Sequence, residues 1–296
     1  MNTKKAICFG EILWDLFPSG KEIGGAPFNV AFRMTQLGIP TTMISAIGTD
    51  ALGEELQQAV AEKGVTTLLQ KKKPFPTGTV VVTLNAMGSA QYTIPMPVAW
   101  DHISYTTAIE KKVLEADCFV FGSLIARSRE SKETLQKLLS LSAYKVFDLN
   151  LRKPHYNPTE LLEWMQQADL IKCNQEELAA LVREYGCNAP DLEQQVAFLA
   201  VHTNSSQLCI TLGSNGALWY ENQSFLYQSG FSITVKDTVG AGDSFLATLL
   251  SGILTKHPMS DNLQNACAVG ALVASKAGAN PTIDPTEWIT LTSSGS

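Results

Sequence analysis

Short apolar runs alternate with amphipathic helical patterns along most of the chain, and this alternation limits the possible folds more than any other feature. Six runs have the length and character of buried strands: residues 7–9, 42–47, 118–121, 145–149, 170–173 and 208–212. Between them, apolar residues recur at helical spacing, as Val30, Met34 and Leu37 do after the first run. The pattern therefore predicts an α/β fold with a mainly parallel sheet and helices on both of its faces.

Two stretches interrupt this alternation and predict small antiparallel strands. Residues 79–84 alternate strictly, with Val80, Val82 and Leu84 on one face, and a turn at residues 87–89 leads to a second strand at 90–94. Upstream, residues 13–17 and 22–25 flank a Pro-Ser-Gly turn at 18–20. The pattern fits either a β-flap that stands off the main sheet or an ordinary edge hairpin.

The composition excludes several classes of protein. Of the 296 residues, 28 are acidic and 22 are basic, which gives a formal net charge of −6. Binding to a phosphate backbone depends on clustered Lys and Arg, and a solvated loop explains the densest basic run, at residues 71–73. We therefore expect no nucleic-acid partner.

No segment indicates a membrane or secreted protein. The uncharged segment 77–100 could span a bilayer, but polar residues and two prolines interrupt it, and it alternates at strand period. Near the N-terminus, Glu11 and Asp15 interrupt the apolar stretch before a signal-peptide core can form. The six cysteines form no Cys-x-x-Cys pair and fit reduced core positions. We expect a cytoplasmic protein without a membrane partner.

The strongest local motif is the glycine-rich segment 237–245, Asp-Thr-Val-Gly-Ala-Gly-Asp-Ser-Phe. It follows a strand-like run at 231–236 and opens a helix. Amides at a helix start, assisted by the helix dipole, bind anions. Asp243 would repel a phosphate held there, but it could act as a base for a hydroxyl that attacks this phosphate. The alternative is that Asp243 only adds favourable charge to the first turn.

A second cluster lies near the N-terminus. Asp15 and Asn29 supply a carboxylate and an amide, which together bind vicinal hydroxyls of a sugar, and the adjacent Gly24 and Gly25 would admit a ligand closely. A solvated Asp15 and a helix-capping Asn29 are the alternative.

Further polar groups follow predicted strands, where α/β sheets bind ligands. Asn174 and Glu177 are three residues apart at a helix start and could hold a hydrated Mg²⁺, or Glu177 could simply match the helix dipole. The glycines of segment 211–216 could admit a nucleotide or form a hairpin turn.

Several familiar motifs are absent from the sequence. It contains no G-x-x-x-x-G-K-[ST] phosphate loop, and Phe245 stands where a dinucleotide fingerprint would need its third glycine. An oxidoreductase is therefore disfavoured. The four histidines are tens of residues apart, which excludes a local metal motif.

Taken together, these segments resemble the ribokinase-like (PfkB-type) family of sugar and nucleoside kinases over essentially the whole chain. Residues 24–31, Gly-Gly-Ala-Pro-Phe-Asn-Val-Ala, match the family's N-terminal signature, and residues 237–243 match its C-terminal signature. One departure is Thr248, where the pattern has Ala or Gly. The resemblance implies a single ribokinase-like α/β domain over residues 1–296. It also implies a lid formed by about residues 13–25 and 77–100, which would exclude water from the substrate.

The resemblance also implies a role for each candidate site. Asp243 would be the catalytic base, and the amides of Gly240, Ala241, Gly242 and Asp243 would form an anion hole. The residues implied to bind the sugar are Asp15, Gly25, Asn29 and Arg152, although Arg152 could also form a surface ion pair. The residues implied to bind ATP are Thr211, Gly213, Gly216, Asn265 and Gly278. Asn174 and Glu177 would hold Mg²⁺ through water, and carbonyls near Asp237 and Gly278 match a family site for K⁺.

Within the family, the sequence is most similar to fructokinases. Segments 10–15, 24–29, 99–101 and 148–152 carry this similarity, although kinases of 2-keto-3-deoxygluconate, other ketoses or ribosides share parts of it. The implied reaction is the ATP-dependent phosphorylation of fructose. A catalytically silent sugar-binding regulator is the alternative from another class, and such a protein would be expected to have lost Asp243 or the Asn174–Glu177 pair. In the family, lid strands often pair across a homodimer.

Overall fold

The computed structural model describes residues 3–17, 20–84 and 90–294. Within these ranges, the strands are β1 (Ala6–Phe9), β2 (Leu13–Phe17), β3 (Gly20–Gly24), β4 (Thr41–Ile47), β5 (Thr66–Lys71), β6 (Thr79–Leu84), β7 (Ala90–Thr93), β8 (Cys118–Gly122), β9 (Lys145–Asp148), β10 (Leu170–Asn174), β11 (Gln207–Thr211), β12 (Ala217–Glu221) and β13 (Ser224–Gln228). The α-helices are α1 (Ala26–Gln36), α2 (Ala51–Glu62), α3 (Thr107–Leu114), α4 (Arg129–Leu139), α5 (Pro158–Met165), α6 (Gln175–Glu184), α7 (Leu192–Thr203), α8 (Ala241–Thr255), α9 (Met259–Ala274) and α10 (Pro285–Ser294).

Nine of the described strands form one sheet, in the order β13-β12-β11-β10-β9-β8-β1-β4-β5. Every neighbouring pair from β11 to β5 is parallel, and the antiparallel pairs, β11–β12 and β12–β13, lie at one edge. Parallel neighbours need crossover connections, which explains the alternation of strands and helices in the sequence. The prediction of a mainly parallel sheet is therefore confirmed.

Helices cover both faces of this sheet. Apolar residues of α3 to α7 form one core with Phe9 and Phe119, whereas those of α1, α2, α8 and α9 form a second core with Cys8 and Val120. Successive strand residues thus point into different cores, as the alternation of a β-strand requires. Because both faces are buried, these strands appear in the sequence as continuous apolar runs.

The strands that interrupt the α/β pattern form a separate sheet, in the order β3-β2-β6-β7. In this second sheet, β2 pairs with β6 in parallel, whereas the β2–β3 and β6–β7 pairs are antiparallel. The predicted turn at 87–89 and the first two residues of the Pro-Ser-Gly turn lie outside the described residues. The separate sheet fits the flap that the pattern suggested rather than an edge hairpin of the main sheet.

One strand prediction is wrong. Residues 231–236, expected to form a strand before the glycine-rich motif, are irregular. The N–H groups of Lys236 and Asp237 both donate to the carbonyl of Ala274, at 2.9 and 3.2 Å, so a helix end replaces a strand partner here. The alternation of polar and apolar residues along this segment reflects one side facing a cavity.

The remaining structural expectations concern the thiols and the membrane. All six cysteines are free, and five of them are buried. Within the described ranges, no helix combines the length and the apolar character that a membrane span requires.

Gly252 tests the contact between helices α8 and α9. A Cβ at this position would overlap the buried side chain of Asn262, whose Nδ2 donates to the carbonyl of Leu249 at 2.8 Å. We expect Gly252→Ala to lower the free energy of unfolding by about 1–2 kcal/mol, because overpacking outweighs the roughly 1 kcal/mol that alanine contributes through helix propensity. Urea unfolding measures the change, with Ser251→Ala on the same helix as the control. A more stable Gly252→Ala protein would contradict this packing argument.

Candidate active site

The N-terminus of α8 depends on glycine at position 240. Gly240 caps the helix with a φ of 76°, a left-handed conformation that strains other residues. A Cβ there would overlap the carbonyl oxygen of Ala279, so the loop at 278–280 packs directly on this turn. The glycine therefore allows two backbone segments to meet at the helix start.

The first turn of α8 presents backbone amides without helical partners, as every helix start does. The Ala241 N–H donates to the Thr238 carbonyl over a long 3.3 Å, and the next regular bond runs from the Ser244 N–H to the Gly240 carbonyl. Ala241 and Gly242 both line a cavity of about 630 Å³. The predicted anion hole thus opens onto a space that is large enough for a ligand.

Asp243 lies in this first turn, and its carboxylate accepts a hydrogen bond from Nδ2 of Asn29 at 2.8 Å. Burial, followed by repulsion from Asp148, raises the pKa of Asp243 to about 6, against the attraction of Lys172, the hydrogen bond from Asn29 and the attraction of Arg152. A carboxylate with this pKa accepts a proton more readily than an exposed aspartate and is still ionised at neutral pH.

Asn29 is a buried residue of α1 that connects three segments of the chain. It donates to Asp243 on α8, and its Oδ1 accepts from Nδ2 of Asn280 at 2.7 Å. Gly25 is the residue that caps α1, so the alternative role of Asn29 as a helix cap does not apply. The structure therefore brings Asn29 and Asp243, which are 214 positions apart, into direct contact.

Asp15 lies in the separate sheet, and Gly25 directly follows the last residue of its strand β3. Asp15 is on β2 opposite Glu22 on β3, and burial followed by repulsion from Glu22 raises the pKa of Asp15 to about 6. Gly25 has a φ of 107°, and a Cβ there would overlap the carbonyl oxygen of Glu11. Gly25 therefore allows the start of α1 to pack directly on the segment that joins β1 to β2.

Arg152 has an exposed side chain in the loop after β9. Its Nη1 donates to its neighbour's carbonyl, that of Leu151, at 3.2 Å. Its positive charge lowers the pKa of Glu11, Asp15 and Asp243, which shows that the guanidinium lies within electrostatic range of all three carboxyls. None of the ion pairs among the described residues includes Arg152, so the surface ion pair considered above is not formed.

The sequence reasoning missed Lys172, a buried cation on β10. Its Nζ lies 2.9 Å from Oδ1 of Asp148 on β9, and both side chains are less than one-tenth exposed. Burial lowers the pKa of Lys172, but attraction to Asp148, Asp243 and Glu177 outweighs it, so the net shift is upward. A Cβ on Gly242 would lie 3.4 Å from Nζ, which locates the ammonium directly beneath the predicted anion hole. A lysine inside an otherwise apolar strand is the signal that could have revealed it.

Asn174 and Glu177 form a reciprocal capping box at the start of α6. The Asn174 side chain accepts from the Glu177 N–H at 2.8 Å, and the Glu177 carboxylate accepts from the Asn174 N–H at 2.9 Å. The other Glu177 oxygen accepts from the Leu151 N–H at 2.7 Å. Burial is the main cause that raises the pKa of Glu177 above its ordinary value. Both side chains therefore have a structural role, and Asn174 also lines the 630 Å³ cavity.

The cavity accounts for three of the five predicted nucleotide-binding residues, because Thr211, Gly213 and Gly216 line it. Asn265 and Gly278 do not. Asn265 accepts from the indole N–H of Trp288 on α10, and the Gly278 N–H donates to the Asp237 carboxylate. Instead of Asn265, helix α9 presents Cys267, Gly270, Ala271 and Ala274 to the cavity.

Glu11 is a second residue that the sequence reasoning did not assign. It follows β1, the residue is only 3% exposed, and Oε2 has no hydrogen-bond partner among the described residues. Burial is the largest of the causes that raise the pKa of Glu11 to about 7. The folded protein therefore binds a proton at Glu11 more tightly than the unfolded chain does.

This shift predicts how stability depends on pH. The folded pKa lies above the unfolded value of about 4.5, so ionisation of Glu11 destabilises the fold increasingly as pH rises from about 4.5 to 7. We expect Glu11→Gln to become more stable than wild type by up to about 3 kcal/mol between about pH 4 and pH 8. Denaturant unfolding at several pH values measures this trend, with Glu176→Gln at an exposed position as the control. A difference independent of pH would contradict the assignment.

Comparison with known proteins identifies the family. The model of the pfkB family of carbohydrate kinases matches residues 10–286. The chain belongs to the PfkB family of carbohydrate kinases. The family predicted from the glycine-rich motifs is thus confirmed, and the match covers both the Asp15–Asn29 region and the Asp243 region.

Individual relatives extend this finding. A Pyrococcus horikoshii protein described as an uncharacterized sugar kinase is 31% identical over 79% of this chain and 74% of its own length. Fructokinase-2 of Solanum lycopersicum is 29% identical over 98% of this chain and 96% of its own. The relatives therefore resemble this PfkB-family chain along its length and not only at the motifs.

Solved structures confirm the ribokinase-like fold. A fructokinase of Xylella fastidiosa with bound ATP superposes with a TM-score of 0.85, at 24% identity and 99% coverage of both chains. A 2-dehydro-3-deoxygluconokinase of Thermotoga maritima superposes with a TM-score of 0.84, at 20% identity, over 98% of this chain and 99% of its own. Kinases of different sugars superpose equally well, so the fold does not specify the acceptor.

Proposed function

We propose that this carbohydrate kinase is a fructokinase that transfers the γ-phosphoryl group of ATP to a hydroxyl of fructose. The observation that carries the proposal is the environment of Asp243. Its carboxylate has a raised pKa, is oriented by Asn29, and lies at the amide-rich start of α8 beside a cavity of about 630 Å³. This arrangement combines a base and an anion-binding site at one point.

In the proposed reaction, Asp243 accepts the proton of the acceptor hydroxyl. The hydroxyl oxygen forms the new bond to the γ-phosphorus, the bond from this phosphorus to the bridging oxygen breaks, and ADP leaves with that electron pair. The amides of the first α8 turn would stabilise the charge on the transferred group. Asn29 holds the carboxylate in position, so it is a positioning residue for this step.

Lys172 supports the same step electrostatically. Its ammonium lies near Gly242, and its charge opposes the repulsion between Asp148 and Asp243. We propose that this buried cation keeps Asp243 ionised at neutral pH and adds positive potential beneath the transferred phosphoryl group. Without Lys172, the carboxyl would hold its proton to a higher pH and would be a poorer base.

The capping box at α6 fits a hydrated magnesium ion. Every side-chain oxygen involved already accepts a backbone N–H, but each retains a lone pair for a water molecule of the ion. We therefore propose that Asn174 and Glu177 hold Mg²⁺ through water. The negative charge of Glu177 and the position of Asn174 on the cavity wall favour this role. Mg²⁺ would neutralise phosphate charge when it is bound.

ATP would occupy the cavity between the glycine-rich hairpin at 211–216 and helix α9. Thr211, Gly213 and Gly216 form one wall, and the small residues Gly270 and Ala271 leave room for a flat base on the other. Phe231 and Val235, from the segment that is not a strand, add apolar surface. We propose this wall of α9, rather than the side chain of Asn265, as the adenine site.

Fructose is the acceptor that the relatives favour, because the tomato fructokinase-2 is similar along almost the whole chain. The proposed acceptor site comprises Asp15, Gly25, Asn29 and Arg152. A carboxylate, an amide and a guanidinium together fit a polyhydroxylated acceptor. A kinase of 2-keto-3-deoxygluconate, another ketose or a riboside is the alternative within the family. A catalytically silent regulator is disfavoured because Asp243 and its contacts are intact.

The proposal also includes a lid, a homodimer, a K⁺ site and a cellular compartment. The separate sheet of β2, β3, β6 and β7 would serve as a lid over the acceptor, and a second copy of the chain could pair with it to form a homodimer. Carbonyls near Asp237 and Gly278 would bind K⁺, and the Asp237 carboxylate, which accepts from the N–H groups of Val239 and Gly278, supports that site by holding the two segments together. The cytoplasm is the proposed compartment.

Replacement of Asp243 tests the reaction directly. We expect Asp243→Asn to lower kcat by about 100-fold to 10,000-fold and to leave the sugar affinity nearly unchanged, because asparagine can still accept from Asn29 but cannot take a proton. ADP release measures turnover with Mg²⁺-ATP and fructose, ribose, tagatose, adenosine or 2-keto-3-deoxygluconate. Asp261→Asn, the same change in the first turn of α9, is the matched control.

The outcomes of this experiment separate the candidates. Turnover of fructose that disappears in Asp243→Asn supports both the base and the acceptor. Preference for another compound retains the kinase and rejects fructose. Sugar binding without turnover of any compound supports the regulator instead, and weak sugar binding with normal turnover in the variant contradicts the role of Asp243.

The pH profile tests Lys172. Wild-type kcat/KM should decline below about pH 6, where Asp243 becomes protonated. Lys172 lowers the pKa of Asp243, so Lys172→Met should move this decline to higher pH. The double variant Lys172→Met/Asp148→Asn also removes the repulsion from Asp148 and should move it back toward the wild-type position. Equal profiles for all three proteins would show that Lys172 is only structural.

A further inference from the structure

Asn280 lies in the segment between α9 and α10, and its side chain connects to the active site through Asn29. Nδ2 of Asn280 donates to Oδ1 of Asn29 at 2.7 Å, and Nδ2 of Asn29 donates to the carboxylate of Asp243 at 2.8 Å. Asn29 is 4% exposed, and the other two residues are half-buried. We call these three side chains the polar triad. It joins segments from the beginning and the end of the protein at the start of α8.

The direction of both hydrogen bonds follows from the chemistry of Asp243. An ionised carboxylate can only accept, so Asn29 has to turn its Nδ2 toward Asp243 and its Oδ1 away from it. The opposite orientation of the Asn29 amide would place an oxygen against the carboxylate. In the observed orientation Oδ1 of Asn29 requires a donor, and Asn280 supplies it. The donation from Asn280 therefore favours the one orientation in which Asn29 stabilises ionised Asp243.

The other half of the Asn280 amide shows that this donation does not serve stability. Oδ1 of Asn280 is buried and has no hydrogen-bond partner among the described residues. Turning the amide over would bring this oxygen against Oδ1 of Asn29, so two acceptors would face each other. A buried acceptor without a partner destabilises a fold, and native structures contain few of them. The donation to Asn29, rather than a gain in stability, accounts for an asparagine at this position.

Arg33, on the next turn of α1, forms a second connection beside the polar triad. The residue is 3% exposed. Its Nη2 donates to the carbonyl of Pro281 at 2.8 Å, and its Nε donates to the Ser244 hydroxyl at 3.2 Å. Pro281 directly follows Asn280, and Ser244 directly follows Asp243. Helix α1 therefore bridges the same two segments twice, and the second bridge fixes the backbone next to each end of the triad.

The backbone on the other side of Asn280 is fixed as well. The N–H of Gly278 donates to the carboxylate of Asp237 at 3.1 Å. The carbonyl oxygen of Ala279 lies so close to Gly240 that a Cβ on this glycine would overlap it. Asn280 is thus positioned by contacts on both of its sides, which is what a residue that orients another side chain requires.

We propose that Asn280 is a positioning residue for the kinase reaction, because it holds the Asn29 amide in the orientation that directs Nδ2 at the carboxylate of Asp243. This inference rests on the proposed role of Asp243 as the base. A hydrogen bond to the ionised form of a carboxyl group lowers its pKa, and the bond from Asn29 lowers the pKa of Asp243 in this way. Loss of the orientation should therefore raise this pKa.

Other charged and titratable groups also act on Asp243, and the test leaves them unchanged. They come from several elements of the fold and are Glu11, Asp15, Asp148, Arg152 and Lys172. Because substitution of Asn280 by an uncharged residue alters none of them, a change in the titration of Asp243 would report on its hydrogen bond from Asn29.

Kinetics of two variants test the proposal. Asn280→Leu keeps the approximate shape of the side chain and Asn280→Ala does not, but both remove the donor. At pH 7 we expect kcat with fructose to fall roughly threefold to tenfold in both, with an unchanged KM for ATP. The decline of kcat/KM at acid pH should move to higher pH by about 0.5 to 1 in both. A packing effect alone would differ between the two variants and would leave the pH profile in place.

Lys276→Met is the matched control. Nζ of Lys276 donates to the carbonyl of Thr282 at 3.1 Å, so this variant also removes a contact that holds the segment around Asn280. The contact does not involve the polar triad. We therefore expect the wild-type pH profile in Lys276→Met.

Carbon-13 NMR of the aspartate carboxyl carbons measures the same effect without turnover. The absence of one signal in Asp243→Asn assigns Asp243. Its titration midpoint should lie near pH 6 in wild type, at higher pH in both Asn280 variants, and at the wild-type position in Lys276→Met.

The outcomes separate this inference from the proposed function. A higher midpoint and a shifted pH profile in both Asn280 variants, but not in Lys276→Met, support the positioning role. Equal midpoints in all four proteins would overturn it, even if turnover falls, because Asn280 would then be only structural. A raised midpoint in a protein that phosphorylates no sugar would confirm the orientation of Asn29 and reject the reaction instead.

Discussion

The hydrogen bond between Asn29 and Asp243 is the interaction on which the architecture of the active site depends. It joins the first turns of α1 and α8, which come from opposite ends of the chain. Each helix begins at a glycine with positive φ, and a side chain at either glycine would overlap backbone from another loop. The two helix starts can therefore converge only because both glycines allow close contact. This convergence brings the Asp243 carboxylate and the free amides of α8 next to Asn29 of α1.

A buried network of charges extends beneath this point. Lys172 on β10 and Asp148 on β9 belong to adjacent parallel strands in the middle of the main sheet, and Glu177 caps the next helix. The network thus contains three carboxyls and one ammonium, of which Asp148 and Lys172 are buried and Asp243 and Glu177 are half-buried. In such a region a net charge would be costly, and the positions of the groups determine which carboxyl holds a proton. Burial is the main cause of the raised pKa of Asp243; within this network Asp148 raises it further, whereas Lys172 lowers it.

Much of the fold could be predicted from the sequence, because buried strands and amphipathic helices have distinct periods. Six of the seven strands that pair in parallel were predicted to within about two residues at each end, whereas β5 was not predicted. The glycine-rich segments marked two helix starts. The failure at 231–236 has a physical cause: a segment that lines a cavity alternates like a strand but bonds to a helix end. The sequence could not reveal Lys172 as a site residue because its role depends on a neighbouring strand. Asn265 and Gly278 were inferred from family resemblance, and here they form contacts outside the cavity.

Asp15 lies on a strand of the separate sheet, whereas Asn29 and Asp243 lie on helices that cover the main sheet. An acceptor held by both sets would span the boundary between two structural layers. Part of its binding free energy would then be used to hold the two layers in their bound arrangement. Compounds too short to contact both layers could not provide that part. Discrimination among sugars would consequently reflect the reach of the acceptor across this boundary as well as its individual hydrogen bonds.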